Sequence, residues 1–229
     1  MSQPWDYIAK LVCIGDSATG KSSLTVRLCE GRFSAQHDVT IGVEFGSRVV
    51  NVGPSNSSPT SPEGSDPKGK KMKLSLWDTA GQETYKSVTR SYFRGASGAL
   101  LVFDVTRRPT FLHAIDWLSD LRQIADDGIV IVLVGNKSDL ATSQALGGEN
   151  KRAVTFQEAE DWCRTNNVLK YVETSAKSGE GVEAAFLDVA QRIYEGIEQG
   201  KYDLEDRRSG VRGPGGLPGA REKRMCLAL

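Results

Sequence analysis

Gly15-Asp16-Ser17-Ala18-Thr19-Gly20-Lys21-Ser22 decides the fold of this chain. The run reads G-x-x-x-x-G-K-S, and its flanks have the matching character. Ile8 to Ile14 is short and apolar, as a buried strand should be, and Ser23 to Leu28 carries apolar residues at helical spacing. A strand that enters a glycine loop and leaves it as a helix makes an anion site. Glycines let the backbone curl, successive N–H groups point inward, and the helix dipole adds partial positive charge. Ser17, Ala18, Thr19, Gly20, Lys21, Ser22 and Ser23 are therefore the candidate phosphate cradle. Lys21 is placed to reach the β- and γ-phosphates of a nucleotide, and the Ser22 hydroxyl to ligate a bridging Mg²⁺.

The rest of the chain alternates strand and helix. Gly31 is the expected C-cap of the first helix, Phe33 to Thr40 reads as loop, and Val43 to Val52 alternates as a strand. From Gly53 to Lys71, proline, serine, glycine and lysine dominate with no large apolar residue, the composition of a flexible insertion at a hairpin tip. Strands follow at Met72–Trp77, Ala99–Val105, Ile129–Val134 and Leu169–Val172. Pro109 suits the first turn of a helix whose expected apolar stripe is Phe111, Ile115, Leu118 and Leu121. Helices are also expected over Phe156–Asn166 and Val182–Ile197, with Leu140 to Arg152 as loop. The pattern predicts an α/β fold: a mostly parallel six-stranded sheet with one antiparallel edge strand and helices on both faces. Ligands of such sheets sit at the carboxyl ends of the strands. Every motif loop follows such an end, whereas the insertion belongs at the opposite one.

Composition narrows the function. The 229 residues carry 29 Lys plus Arg against 29 Asp plus Glu, so no global charge favours nucleic acid as a partner. Cys13, Cys29, Cys163 and Cys226 fall at no zinc spacing, and the amino terminus has no signal-peptide pattern. A cytosolic protein with free thiols is expected. Residues 1–200 are expected to form one domain, and 201–229 a disordered tail. From Arg207 onward six basic residues stand against one acidic, and the last four are Cys226-Leu227-Ala228-Leu229.

Asn136-Lys137-Ser138-Asp139 is N-K-x-D. A carboxylate only accepts, so Asp139 pairs with two adjacent donors, which guanine presents and adenine does not. Asn136 is expected to tie its loop to the phosphate loop, and the Lys137 stem to cover one face of the base. Ser175, Ala176 and Lys177 are expected to support the same base, Ala176 through its backbone N–H. Asp78, at a strand end, is placed to hold Mg²⁺ through water, and Thr40 to add a second hydroxyl to Ser22 on the metal. The Gly81 N–H is expected at the γ-phosphate, and Gln82 carries the donor and acceptor that orient an attacking water.

These motifs in this order resemble the Ras-like small GTPases over roughly residues 8 to 200. Ile41-Gly42-Val43-Glu44-Phe45, Trp77 and Tyr92-Phe93-Arg94-Gly95-Ala96 resemble the Rab family, most closely its early-endosome recycling branch. The resemblance implies a G domain that binds GTP and GDP with Mg²⁺, hydrolyses GTP slowly, and recruits effectors in vesicular and endosomal trafficking. It implies an exchange factor, an activating protein, a GDP-dissociation inhibitor and prenylation machinery as partners, and a monomer. It places the protein on the cytoplasmic face of endomembranes, at early or recycling endosomes, held there by a lipid. It further implies that Phe33 stacks on the guanine edge and that Ile41, Gly42, Val43, Glu44, Phe45, Trp77 and Tyr92 form the effector surface. For Trp77, core packing fits equally well. Ala18 stands where glycine is common, the 53–71 insertion has no counterpart in the short Rab hairpin, and one terminal cysteine replaces the usual two. Leu229 favours geranylgeranyl at Cys226, with the basic tail as a second membrane signal. A GTP-dependent binding scaffold with negligible hydrolysis is the alternative. An ATP-using P-loop kinase or transferase is disfavoured by N-K-S-D.

Overall fold

The computed structural model describes residues 4–35, 39–54, 69–82, 86–141, 151–206 and 209–213. In chain order the elements are β1 (Tyr7–Ile14), α1 (Lys21–Glu30), β2 (Val43–Val52), β3 (Lys70–Thr79), α2 (Lys86–Ser91), β4 (Gly98–Asp104), α3 (Arg108–Leu112), α4 (Ala114–Ile124), β5 (Val130–Asn136), α5 (Ser138–Ala141), α6 (Phe156–Thr165), β6 (Lys170–Glu173), α7 (Val182–Glu198) and β7 (Val211–Arg212). The sheet order is β2-β3-β1-β4-β5-β6, with β2 antiparallel to β3 and the remaining neighbours on this path parallel.

Strand periodicity of two sorts the core into two layers. Leu11, Cys13, Leu100, Val102, Val132 and Val134 face one cluster with α1 and α7. Their sequence neighbours Val12, Ile14, Leu101, Phe103, Ile131 and Leu133 face the other, with α4 and α6. Apolar residues at successive positions therefore mark strands buried on both faces. Thr155 caps α6 by accepting the Glu158 N–H, and Gly31 ends α1 in the left-handed region with its N–H on the Arg27 carbonyl.

Two expectations are corrected. The helix expected behind Pro109 is two helices that meet at His113, and its stripe is shifted. Ala114, Trp117, Leu118 and Leu121 are buried, whereas Ile115 is exposed. Restarting the helix rotates the face that meets the sheet. The second correction concerns the tail. Residues 201–206 and 209–213 pack on the domain, and the sheet has seven strands rather than six. β4 pairs with β1 only from Leu11 onward, which leaves the edge at Ile8 and Ala9 open. β7 fills it, antiparallel, pairing Arg212 with Ile8 and Val211 with Ala9. Val211 is fully buried, and Tyr202 and Leu204 lean on the same core. A lone valine between Gly210 and Arg212 gives no periodic signal, yet burying it contributes roughly 1.5–3 kcal/mol.

The hairpin ends Val52 and Lys70 face each other at the sheet end opposite the strand carboxyl termini of β1 and β3. Residues 55–68 of the insertion, and the tail from 214 with Cys226, lie outside the described residues.

Candidate functional site

At the carboxyl ends of the strands, the loops enclose a cavity of about 490 Å³. Ser17, Ala18, Gly20, Lys21, Ser22, Ser23, Phe33, Thr40, Gly81, Asn136, Lys137, Asp139, Ala176 and Lys177 line it. Four expected site residues do not: Thr19, Asp78, Gln82 and Ser175 stand outside the lining. Thr19 and Ser175 are fully buried and act on neighbours. Thr19 Oγ1 donates to the Asp16 carbonyl at 2.9 Å, and Ser175 Oγ donates to Asp139 Oδ1 at 2.7 Å. The second bond fixes the rotamer of the Asp139 carboxylate at the cavity wall.

The phosphate loop is held in a conformation that alternates strongly. Gly15 has φ 136°, Ala18 62° and Gly20 93°. A Cβ at Gly15 would strike the Val102 carbonyl, and one at Gly20 the Asn136 amide. Glycine is required at both. Lys21, only 5% exposed, donates Nζ to the Gly15 carbonyl at 2.9 Å and the Asp16 carbonyl at 2.8 Å. Burial pushes its pKa down, with the Asp78 carboxylate pulling the other way. A phosphate in the cavity would add further negative charge beside this lysine.

The loops are laced together. The Ser17 N–H donates to the Gly81 carbonyl at 3.0 Å, and a Cβ on Gly81 would sit 2.5 Å from both Ser17 N and Lys21 Nζ. Asn136 Nδ2 donates to the Thr19 carbonyl at 2.9 Å, the tie expected from the sequence. Asn136 Oδ1 accepts from Thr174 Oγ1 and from the Ala176 N–H, each at 3.2 Å. The Ala176 N–H thus meets Asn136 Oδ1 at the cavity wall. An amide oxygen with two lone pairs in a buried position gathers both donors. Lys137 sits at φ 69° and pairs with the buried Asp104 at 2.8 Å, which stretches its stem along the cavity wall. Sequence reasoning missed Arg27: its Nε donates to the Ala176 carbonyl at 2.8 Å, anchoring α1 to the Ser175–Lys177 loop. No local pattern marks it, because its partner is 149 residues away in the chain.

The metal expectation can be tested on donors. Ser22 Oγ and Thr40 Oγ1 share a hydrogen bond at 2.8 Å, and Asp78 is buried beside Lys21 at the end of β3. Two hydroxyls and one carboxylate form an all-oxygen set with few protein ligands. That fits Mg²⁺, which keeps waters and takes substrate phosphates. Among the described residues no group of three His, Cys, Asp or Glu could hold a metal, so a transition-metal cage is not what these residues build.

Beside the cavity, an apolar surface continues from Thr40. Ile41 is 77% and Phe45 66% exposed. The Phe45 ring meets Trp77 edge-on with centroids 4.6 Å apart, and Trp77 lies 5.3 Å from Tyr92. Trp77 is partly buried against the second core cluster. Lys10 Nζ stands 4.2 Å over its ring. Gly42, Val43 and Glu44 complete the strand entry, with Gly42 in the left-handed region at φ 80°.

A parallel sheet with a glycine-cradled lysine at the carboxyl end of β1 defines a P-loop nucleotide-binding protein. The family is narrower. The Ras family model matches residues 10–195, most of the chain, and the protein belongs to that family. It is a small GTPase switch, of a family that in general binds GTP, GDP and Mg²⁺ and works with exchange factors and activating proteins.

Proposed function

We propose that this switch is of the Rab type, hydrolysing GTP slowly and recruiting effectors to endosomal membranes while GTP-bound. The observation that carries the proposal is the pair of exposed apolar side chains Ile41 and Phe45, the second continuous with the Phe45–Trp77–Tyr92 ring cluster, next to Thr40 on Ser22. A loop whose hydroxyl reaches the phosphate site, and whose next residues offer apolar surface, couples nucleotide state to partner binding.

In the reaction, water attacks the γ-phosphorus and the bond to the β–γ bridging oxygen breaks, giving GDP and phosphate. Ser22, Thr40 and Asp78 would hold Mg²⁺, which would supply positive charge to offset that of the phosphates. Lys21 and the inward N–H groups of the phosphate loop stabilise the charge that develops on the leaving oxygen. Gln82 orients the water. Asp139, held by Ser175, accepts from the guanine N–H groups, and Phe33 packs on the base edge. Among the described residues no arginine lines the cavity, so basal hydrolysis is slow. A partner's arginine supplies about 10³–10⁵. The tail residues Arg221, Lys223 and Arg224, with a geranylgeranyl group on Cys226, would give the two signals that stable membrane anchoring needs.

A second reading, a GTP-dependent scaffold with negligible hydrolysis, is favoured by Gln82 lying outside the cavity lining. Single-turnover GTP hydrolysis with and without a Rab-type activating protein separates the two. The expected result is acceleration by at least about 10³ in the parent and loss of both rates in Gln82→Leu. Equal, negligible turnover in parent and variant would establish the scaffold.

A further inference from the structure

Asp16 sits inside the phosphate loop, yet it is not part of the cavity lining. Its carboxylate is held by two side chains from the α3–α4 junction. Trp117 Nε1 donates to Oδ1 at 2.8 Å, and His113 Nδ1 shares a hydrogen bond with Oδ2 at 2.7 Å. His113 and Trp117 are four residues apart, so one helical face presents both to the loop. Trp117 is only 4% exposed and fixed in the second core cluster, whereas the His113 side chain is 54% exposed. The main chain of the same aspartate works on the opposite side: its carbonyl accepts from Lys21 Nζ at 2.8 Å and from Thr19 Oγ1 at 2.9 Å. The next N–H, that of Ser17, holds Gly81. One residue therefore joins the helix layer to the cavity lysine and to the 78–82 loop.

A carboxylate within a loop built to bind phosphate is adverse unless it is kept turned away, because like charges repel strongly where water is scarce. We propose that His113 and Trp117 are positioning residues: by holding the Asp16 carboxylate on the helix side, they set the geometry of the phosphate loop and the rate at which GDP leaves. The proposal rests on the cavity being the guanine-nucleotide site, which GDP retention by the parent tests separately.

Release of a fluorescent GDP analogue from the Mg²⁺-loaded full chain is the measurement, made in a double-mutant cycle. His113→Ala, at an exposed position, is expected to speed release about tenfold, the size of one lost charge-assisted hydrogen bond. Trp117→Phe, which keeps an aromatic ring but not the donor, is expected to do the same. In an Asp16→Ala background neither substitution should change the rate, since no carboxylate remains to be held. A purely structural role would lower the thermal midpoint in both backgrounds without this dependence. The indole N–H resonance of Trp117 should also move upfield in Asp16→Ala. Unchanged release in His113→Ala, or equal acceleration in both backgrounds, overturns the proposal.

Discussion

The two ends of the sheet are built by different physics. At the carboxyl end, loops are joined by single polar contacts: Ser17 to Gly81, Asn136 to Thr19, Arg27 to Ala176, Ser175 to Asp139. Each side-chain contact needs one residue type at one position, and glycines stand where a Cβ would collide. At the amino end, β7, Tyr202 and Leu204 are held by apolar burial, and the hairpin closes where Val52 meets Lys70. Other apolar side chains of similar size would serve at Val211 and Leu204, although Gly210 beside them, at φ 69° with a Cβ that would strike the Gly95 carbonyl, has no substitute. The lesson is a division of labour: polar contacts shape the cavity at the first end, and apolar burial contributes stability at the second.

Substitutions should separate the ends cleanly. Among the substitutions that separate the ends, Gly20→Ala has the largest expected effect. The residue stands at φ 93°, and a Cβ there would displace the Asn136 amide from its bond to Thr19. Left-handed strain of about 1–3 kcal/mol plus overpacking of similar size should weaken GDP binding by about 10²–10⁴. The checks are GDP titration and a melting curve of the nucleotide-free protein, whose midpoint should fall as well, because the strain and the collision lie in the folded chain itself. Next comes Val211→Asp, which puts a charge at a fully buried position. We expect a loss of about 2–3 kcal/mol, or roughly 5–10 °C in Tm, because the tail detaches rather than burying the charge. GDP release should stay at the parent rate; a matching rise in release would mean that the ends are coupled. The smallest effect is that of Ala18→Gly. Relief at φ 62° should raise stability by about 0.5–1 kcal/mol, partly offset by the greater freedom of glycine when unfolded. A drop in Tm would show that Ala18 makes contacts worth more than its strain.

The same division explains what the sequence reveals by itself. G-x-x-x-x-G-K-S, N-K-x-D and the 78–82 run are legible because their chemistry fixes residue type and spacing together. The sheet is legible because strands buried on both faces read as continuous apolar runs. β7 is not, since Val211 gains its place only from the gap that β4 leaves beside Ile8 and Ala9. The break at His113 is hidden because α3 and α4 continue one apparent apolar pattern. Arg27, His113 and Trp117 act on loops far away in sequence, and nothing near them announces a role. The bond of the Ala176 N–H to Asn136 Oδ1 is likewise a tertiary contact that no local pattern marks.

The central claim is that the carboxyl-end cavity reads guanine through Asp139. Ser175 Oγ fixes Asp139 Oδ1 at 2.7 Å. In an Asp139→Asn variant the amide oxygen would therefore stay on Ser175, and the amide nitrogen would turn a donor to the ligand. Binding of GDP and xanthosine diphosphate to the parent and to this variant tests the claim most directly. The variant should lose GDP affinity by up to about 10⁴–10⁵, the discrimination of a site built on hydrogen bonds to its ligand. It should gain xanthosine diphosphate, whose carbonyl accepts where guanine donates. Unchanged GDP affinity, with no gain for the xanthine nucleotide, would contradict the account.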